Sequence, residues 1–554
     1  MTDRRRPFWL EEALGDPCVD EGPTGFRWAM RLDELEEFPA DAAARLDGLG
    51  VHRHYVPAAM GGELESFESL ATLLRCVARR DLTLAIGHGK TLLATQPVFL
   101  GAEPALKEMV AARVLAGEPM ALGLTERENG SDLLASRTLA ATAERPCLVS
   151  GEKWLINNAT RSTALCVLAR TKPAGGPRGF SLFFVDKSEA EGTYTALPKI
   201  RTHGIRGADI SGIRFESTPC STPPIGGEGA ALAITLKTFA VTRTLIPILA
   251  VGALDSALRI VLEFARNRSL YGGTVLQIRH ARTVLARSIA DLLGCEAMAL
   301  AGARLLHHAP DQACFWSSVV KVHVPTTIER TLRDLAVIFG ARHYLREGLA
   351  FGMFEKIKRD VDLLGLFDGS TIVNLSNIAL HARPLARGEQ DRVADAFSLL
   401  GPLPEFEPNR LTPMARSVWG AEVLASRAAQ RLAGCAHADH LGPALESLGR
   451  RARSARDELS LRVPATAFDM SAALVRMAAT YAGMAARALA ANVFVDSRVG
   501  GTAVLRGADW LLLLLADAAD DGTPTEAIDA AGERLLQFAL AAMERNTAVS
   551  LLAD

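Results

Sequence analysis

The sequence predicts an α+β protein that is mainly α-helical, in which helical domains precede and follow an antiparallel β-domain. Three observations lead to this fold class. Apolar residues recur at helical spacing before residue 121, short β-branched and aromatic runs fill residues 122–229, and long runs with few helix breakers follow. This order predicts a ligand-binding cleft where the β-domain meets the helices.

The first predicted domain, residues 1–121, is helical, and the second, residues 122–229, is an antiparallel β-domain. The stretch ESLATLLRCVARR, Glu68–Arg80, places its three leucines and its valine on one helical face. The β-domain prediction rests on short runs separated by clusters such as KPAGGPRG, which are typical of loops. These runs are TALCVLAR, FSLFFVD and SGIRFES, which begin at Thr163, Phe180 and Ser211.

The third predicted domain, residues 230–388, is helical again. Residues 389–413 are richer in Pro, Gly and charge, which predicts a linker. Residues 414–554 are rich in Ala, Leu and Arg, which favours a second, separate helical domain in which Leu511–Leu515 are buried. The helical runs of the third domain are residues 230–266, 275–303, 316–339 and 371–383.

The composition of the 554-residue chain limits its classes of function. Hydrophobic residues make up 49% and charged residues 22%, which supports a large core and argues against disorder. The chain has 61 basic and 63 acidic residues, giving a net charge of −2. This balance argues against a basic nucleic-acid-binding surface and against a polybasic membrane anchor.

The cysteines and the apolar runs predict a cytoplasmic protein. The eight cysteines form no CxxC pair and no metal-ligand spacing with histidines, so we expect reduced, buried thiols and no metal site. The start, MTDRRRPFWLEEALG, has no apolar stretch after its arginines, so we expect no signal peptide. The runs Thr244–Leu254 and Trp510–Ala516 are shorter than the ~20 residues that cross a bilayer, so we expect no transmembrane segment.

The stretch GLFDGSTIV, Gly365–Val373, contains one carboxylate, Asp368, between two apolar runs. Asp368 or the following serine could cap the helix that begins at Thr371, and Asp368 could instead be the base of an enzyme. The local sequence alone favours the cap.

Six motifs in a fixed order reverse that preference. Together they resemble the acyl-CoA dehydrogenase family, and the resemblance covers about Asp47 to Gly388. It implies an N-terminal helical domain, a middle β-domain and a four-helix bundle domain, and residues beyond about Met414 resemble the helical extension of the very-long-chain members. The motifs are GLTERENGSD (123–132), SGEKWLINNA (150–159), HGIRGADISGIRFES (203–217), FAVTRT (239–244), ARNRSLYGG (265–273) and KRDVDLLGLFDGST (358–371).

The resemblance implies FAD-dependent α,β-desaturation of an acyl thioester. A carboxylate removes the α-proton while FAD accepts a hydride from the β-carbon. Asp368 aligns with the family's catalytic residue, which is usually Glu. Some members carry the base near the position of Thr242, but a threonine cannot act as that base, so Asp368 is the candidate.

The resemblance also implies the residues that hold FAD. Leu155 stands where the family has an aromatic residue on the flavin, so we expect Trp154 either to replace it or to belong to the core. Arg268 and Tyr271 match a turn that reaches the FAD of a neighbouring subunit in the family; the alternative for Arg268 is a solvated helix end. The candidate cofactor residues are Leu124, Thr125, Gly130, Ser131, Trp154, Ile156, Asn157, Arg268, Tyr271, Arg279, Val337, Gly340 and Ser370.

The resemblance further implies a substrate site and partners. Phe239, Arg243, Phe367 and Gly369 are the candidate substrate residues, although both phenylalanines could be ordinary core residues. The expected partners are an acyl-CoA or acyl carrier protein thioester, an electron acceptor such as an electron-transfer flavoprotein, and a second copy in a homodimer. The C-terminal extension could instead dock a carrier protein or a membrane. Alternatives for the whole protein are a flavin oxidase or monooxygenase on the same fold, and a non-catalytic binding partner.

Overall fold

The computed structural model describes residues 8–19, 21–143, 146–385, 396–399, 401–432, 438–464, 469–516 and 524–553. Within them, helices come first, a β-sheet follows and further helices complete the chain, which confirms the predicted fold class. Cys435 and part of the predicted linker, residues 389–395 and 400, lie outside the described residues.

Six α-helices precede the sheet. Side-chain caps begin two of them: the Ser66 hydroxyl accepts the N–H of Ser69 (3.1 Å), and the Asp81 carboxylate accepts the N–H of Thr83 (3.0 Å). The predicted apolar face of the fourth helix is buried in the core. The helices are α1 (Trp9–Leu14), α2 (Phe26–Leu35), α3 (Ala40–Gly48), α4 (Phe67–Ala78), α5 (Leu82–Gly101) and α6 (Pro104–Leu115).

Seven strands form one sheet in the order β1-β4-β2-β3-β7-β6, with β5 paired to β4. Most pairings are antiparallel, as predicted, but β1 and β2 each pair with β4 in parallel. The antiparallel prediction is wrong at these two pairs, because the chain passes through other strands before it returns beside β1. The strands are β1 (Met120–Gly123), β2 (Leu139–Ala141), β3 (Cys147–Asn157), β4 (Ala164–Arg170), β5 (Phe180–Asp186), β6 (Tyr194–Leu197) and β7 (Ile210–Cys220).

The next helices form the predicted bundle, whose long helices α7, α8 and α9 pack on one another, and α11 packs on α9. Helix α7 continues through Pro247. A Cβ on Gly252 of α7 would lie 2.4 Å from the carbonyl oxygen of Arg75, so the close approach of α4 requires glycine. The elements are α7 (Ala231–Asn267), β8 (Ser269–Leu270), β9 (Gly273–Thr274), α8 (Arg279–His308), α9 (Ala313–Phe339), α10 (Met353–Val361), α11 (Thr371–Leu380) and α12 (Ala382–Leu385).

The C-terminal helices pack against the bundle and share one hydrophobic core with it and with the N-terminal helices. The prediction of a separate helical domain is wrong in this respect, because alanine- and leucine-rich faces bury against α8 and α9. Residues Leu511–Leu515 are buried, as predicted. The helices are α13 (Ala421–Arg431), α14 (Ala438–Ser460), α15 (Ala472–Ser497), α16 (Ala503–Arg506), α17 (Asp509–Ala516) and α18 (Thr525–Glu544).

The described part of the predicted linker is also packed. Phe397 and Leu411 are buried. Arg304 donates from Nε to the carbonyl oxygen of Ala396 (3.2 Å), and the N–H of Leu399 donates to the hydroxyl of Ser497 (3.0 Å). This segment therefore fastens the C-terminal helices to the bundle.

Among the described residues, one helix, α7, has the length and apolar composition that a membrane crossing needs. Within the protein, 94% of its most apolar window is buried. Its position at the centre of the bundle accounts for that composition, because a helix that is apolar on all sides suits a core.

Glu11 attaches helix α1 to α4. Its carboxylate accepts hydrogen bonds from Arg79 (2.6 Å) and from Arg80. Burial would raise the pKa of Glu11, but the two arginines outweigh it and lower the pKa from 4.5 to about 2. Because the folded pKa is depressed, the carboxylate contributes stability above pH 4.5, and this contribution is lost as the pH falls toward 2.

We therefore predict that Glu11→Gln lowers the free energy of unfolding at neutral pH by about 3 kcal/mol, measured by urea denaturation. The difference from the wild type should shrink as the pH falls below 4.5. Glu12→Gln, on the exposed side of the same helix, is the matched control and should change little. A difference that is constant with pH would contradict the assigned role.

Candidate active site

A cavity of about 660 Å³ lies where α5, the sheet, α7 and the loop before α11 meet. It is the cleft predicted at the junction of the β-domain and the helices, and its volume suits a small ligand. Its wall is mainly apolar, with side chains such as Leu93, Leu122, Ile246 and Leu249. The predicted site residues that line it are Leu124, Thr125, Gly130, Ser131, Ile156, Asn157, Phe239, Arg243, Phe367, Asp368, Gly369 and Ser370.

A left-handed turn brings Asp368 into the cavity. Asp368 and Gly369 have φ angles of +55° and +98°, and Asp is one of the few residues other than glycine that tolerate this region. The hydroxyl of Ser370 accepts the N–H of Val373 (3.5 Å), so Ser370 caps α11. The side-chain amide of Asn374 donates to the carbonyl oxygen of Gly369 (2.8 Å) and holds the turn. Asp368 is therefore not the helix cap.

The carboxylate of Asp368 is left without a hydrogen bond at one oxygen. Its Oδ2 atom is buried and has no partner among the described residues. Arg243 donates from Nε to the backbone oxygen of Asp368 (2.6 Å), and its guanidinium lies over the ring of Phe239 (4.8 Å). Arg243 thus holds the peptide of Asp368, and the carboxylate stays available to a ligand.

Three cations surround Asp368. Burial lowers the pKa of all three: that of Arg243 falls to about 10, that of Lys321 falls to about 8, and that of Lys90 also falls. The negative charge of Asp368 opposes each of these shifts. Lys321 donates to the backbone oxygen of Leu364. The site therefore combines the buried carboxylate oxygen of Asp368 with several positive groups in a mainly apolar enclosure, where charge interactions are stronger than in water.

The loop after β1 is held by a buried ion pair. The Lys153 ammonium donates to the Glu126 carboxylate (2.8 Å), which also accepts the N–H and the hydroxyl of Thr138 (2.9 and 2.7 Å). Burial would raise the pKa of Glu126, but Lys153 and the hydrogen bonds outweigh it and lower the pKa far below its ordinary value. This pair fixes Thr125 at the edge of the cavity, beside Gly130 and Ser131.

These residues fit a flavin. Asn157 is buried, lines the cavity and has an amide oxygen without a partner among the described residues. A buried amide oxygen is costly to leave unpaired, and the edge of a flavin ring has both donors and acceptors. The cavity wall thus offers polar groups from Asn157 at the end of β3 and from Thr125 and Ser131 in the loop after β1. These groups suit the edge of such a ring.

The cavity wall holds Leu155 and not Trp154. A bulge interrupts the pairing of β3 with β7 between Trp154 and Ile156, and Leu155 has a φ of +55°. Trp154 instead lies against the guanidinium of Arg127 (4.8 Å) and is half-buried. Trp154 therefore does not line the described cavity, because the bulge reverses the alternation of faces, and its contact with the cofactor stays a prediction.

Besides Trp154, five further predicted cofactor residues lie outside the cavity. Arg268 directly follows α7, and Gly340 directly follows α9. These two helix ends are in contact, since the ring centroids of Phe264 and Phe339 lie 5.1 Å apart. All five residues are exposed; the side chain of Arg279 forms an ion pair with Asp529 of α18 (3.1 Å). These residues, which we call the bundle-end set, are Arg268, Tyr271, Arg279, Val337 and Gly340.

Among the lining residues that sequence reasoning did not propose as site residues are Lys90 and His203. His203 belongs to a quoted motif, and its backbone oxygen accepts a hydrogen bond from Arg359 (3.1 Å). Lys90 is the one Lys, Arg, Asp or Glu residue between Leu82 and Gly101, and this isolated charge in a mainly apolar stretch is the signal that could have identified it.

We predict that Gly369→Ala destabilises the protein more than Gly117→Ala, by about 1 kcal/mol or more in urea unfolding. Both glycines have positive φ, which costs another residue about 1–2 kcal/mol. A Cβ at Gly369 would also meet Arg243 Nη2 at 2.4 Å, whereas a Cβ at Gly117 meets nothing within 4 Å. Equal losses would contradict the close contact between the turn and Arg243.

Comparison with known proteins agrees with this geometry. The middle-domain model of acyl-CoA dehydrogenases matches residues 121–218, and their C-terminal-domain model matches residues 227–382. A probable acyl-CoA dehydrogenase, FadE25 of Mycobacterium tuberculosis (strain ATCC 25618 / H37Rv), is 27% identical over 346 residues, which are 62% of this chain and 87% of the relative.

Two solved structures share the fold. The prolyl acyl carrier protein oxidase AnaB superposes with a TM-score of 0.58 at 21% identity, covering 62% of this chain and 91% of AnaB. The FAD complex of PigA superposes with a TM-score of 0.56 at 20% identity, covering 63% of this chain and 94% of PigA. Both matched domain models border the cavity that contains Asp368. Residues 121–218 and 227–382 are therefore the middle and C-terminal domains of the acyl-CoA dehydrogenase family, whose members are FAD-dependent oxidoreductases acting on CH–CH bonds.

Proposed function

We propose that this protein catalyses FAD-dependent α,β-desaturation of an acyl thioester, with Asp368 as the base that removes the α-proton. The observation that carries the proposal is the buried, unpaired carboxylate oxygen of Asp368 in an apolar cavity that also fits a flavin. A base in such a place meets its substrate without competing water.

FAD, when bound, accepts the hydride that leaves the β-carbon. Leu124, Thr125, Gly130 and Ser131 would hold it from the loop after β1, and the Asn157 amide would pair with the ring edge. Ile156 and Ser370 would bound the same space, while Leu155 covers less of the ring than an aromatic residue.

The substrate side of the proposal assigns positions to the chain's own groups. The carboxylate of Asp368 takes the α-proton, and the thioester oxygen accepts a hydrogen bond from the N–H of Asp368. That N–H has no acceptor among the described residues, which supports its availability. Hydrogen bonds to this oxygen favour removal of the proton because they stabilise the developing negative charge. Phe239 and Phe367 would border the acyl group, and Gly369 leaves room beside Arg243.

The choice of thioester carrier and of electron acceptor is a further part of the proposal. Acyl-CoA is the substrate named for the family, and an acyl carrier protein is the second candidate because AnaB, a protein of the same fold, is an oxidase for a carrier-bound group. The proposed acceptor is an electron-transfer flavoprotein in the cytoplasm. An oxidase would use oxygen in its place, and AnaB is the observation that favours testing it.

A second copy of the chain completes the proposed site. In the bundle-end set, the large side chains of Tyr271 and Val337 are 93% and 73% exposed, and a second subunit would cover them. Arg268 lies in the same turn, and a guanidinium can bind two oxygens of a pyrophosphate. We infer that this surface contacts the second subunit of a homodimer and the FAD bound there.

For catalysis, we predict that anaerobic addition of a suitable saturated acyl thioester bleaches the flavin absorption of the wild type. Asp368→Asn should retain FAD but bleach roughly 10² to 10⁴ times more slowly, because it lacks the base. Asp362→Asn changes another carboxylate that lines the cavity and is the matched control, with little effect expected.

The alternatives give different results in the same experiment. Bleaching that is unaffected by Asp368→Asn would overturn the assignment of the base. A yellow protein that no thioester bleaches, but that consumes oxygen with a substrate, would favour oxidase chemistry. A protein that cannot take up FAD would exclude the proposed reaction.

For assembly, we predict that Tyr271→Glu converts the dimer to a monomer and lowers FAD retention, measured by light scattering and by the ratio of visible to ultraviolet absorbance. A charge at this position would be buried without a partner in the interface. Leu461→Glu, at a residue that is 85% exposed outside the bundle-end set, is the control and should remain dimeric. A wild-type monomer with full FAD would contradict the shared site.

A further inference from the structure

Lys90 is a charged residue in an otherwise apolar part of the cavity wall. Helix α5 presents Ile86, Gly89, Lys90 and Leu93 to the cavity, at the spacing of one helical face. Apart from Lys90 these residues have no polar side-chain atoms. A lysine in this row is therefore the one position of α5 that can form a charged contact with a ligand.

Apart from Asp368, the other charged groups of the cavity have partners or are exposed. Arg359 donates to Asp33 (2.7 Å) and to Glu355 (2.6 Å), and Arg243 holds the peptide of Asp368. The remaining lining residues with ionisable side chains, His203 and Asp362, are exposed.

Lys90 has no such partner. In the part of the chain that the structure describes, its ammonium has no hydrogen bond and no ion pair, and Asp368 acts on it only through the field of its charge. The side chain lies deep enough for burial to lower its pKa, yet part of its surface is accessible. Because Lys90 lines the cavity, that accessible surface faces the space where a substrate would lie.

An unpaired ammonium in an apolar wall is costly, and a ligand group of opposite charge would offset that cost. A positive wall disfavours an acyl group that carries an ammonium and favours one that carries an anion. The rival explanation is that Lys90 only keeps Asp368 ionised, but the two groups form no ion pair, which leaves room for a ligand group beside Lys90.

We propose that Lys90 is a specificity-determining residue that binds a carboxylate on the acyl chain, so that the preferred substrate is the monothioester of a dicarboxylic acid. This inference rests on the proposed function, since it assumes that the cavity receives an acyl thioester. It goes beyond that function by naming the chemical class of the acyl group.

The test compares two CoA thioesters of equal chain length, hexanoyl-CoA and adipoyl-CoA, and a shorter pair, butyryl-CoA and succinyl-CoA. Binding to the holoenzyme is followed by the change in its visible spectrum and by calorimetry, so that turnover is not required. In at least one pair, the wild type should bind the carboxylate-bearing member roughly 10- to 100-fold more tightly, as a charged hydrogen bond provides.

Substitution of Lys90 separates recognition from a general effect. The ratio of the two affinities should collapse in Lys90→Met and Lys90→Gln and persist in Lys90→Arg. A wild type without preference for the carboxylate, or a Lys90→Met variant that weakens both members of a pair equally, would overturn the inference. The second result would make Lys90 a counter-ion of Asp368.

Failure of the proposed function gives a different result. If the carboxylate-bearing thioester binds in a Lys90-dependent way but bleaches no flavin, the desaturation is wrong and the recognition stands. If both thioesters bleach the flavin with no dependence on Lys90, the desaturation stands and the recognition is wrong. If no thioester binds, both are overturned.

Discussion

A cluster of buried charges joins the N-terminal helices, the bundle and the C-terminal end of the chain. Arg75 of α4 donates to Asp255 of α7 (3.0 Å) and to the backbone oxygen of Val549 (2.8 Å). Glu296 of α8 accepts the N–H of Leu551 (2.7 Å) and lies 3.6 Å from Arg75. Such groups are stable in a core only when every partner is in place. The cluster therefore makes the folding of the C-terminal end a condition for the packing of α4 on α7.

The catalytic cavity depends on the same packing. Asp255 and Arg243 are twelve residues apart on α7, so the charge cluster lies about 18 Å along the helix from the residue that holds Asp368. Gly252 lets α4 touch α7 between these two points. The position of α7 thus determines where Arg243 meets the turn at Gly369. The described residues of the C-terminal extension support α7 and contribute no residue to the cavity wall.

The sequence predicted what depends on local pattern and missed what depends on tertiary contact. The buried face of α4 follows from its apolar spacing, and the length of α7 follows from a run with few helix breakers. The order of six motifs located Asp368. Leu155 lines the cavity in place of Trp154 because of a single bulge in β3, and the alternation of residues along a strand does not predict such a bulge. The exposure of Lys90 to the cavity depends on how α5 packs against α7. The shared core of the C-terminal helices likewise depends on which faces meet, and composition alone does not contain this.

Asp368 and Lys90 line the same cavity, whose edge is supported by a buried ion pair. Glu126 and Lys153 form the ion pair that fixes the loop after β1, while Asp368 stands where the family that the motifs resemble usually has Glu. Asp is one methylene shorter than Glu, and a shift of about 1 Å at a reacting centre can cost roughly 10²-fold in rate. A wall charge that draws one end of the acyl group toward α5 would also set the distance between the α-carbon and the base. Under the proposed function, the shorter carboxylate of Asp368 and the cation of Lys90 would act together, with a charged acyl group positioned for a base of shorter reach.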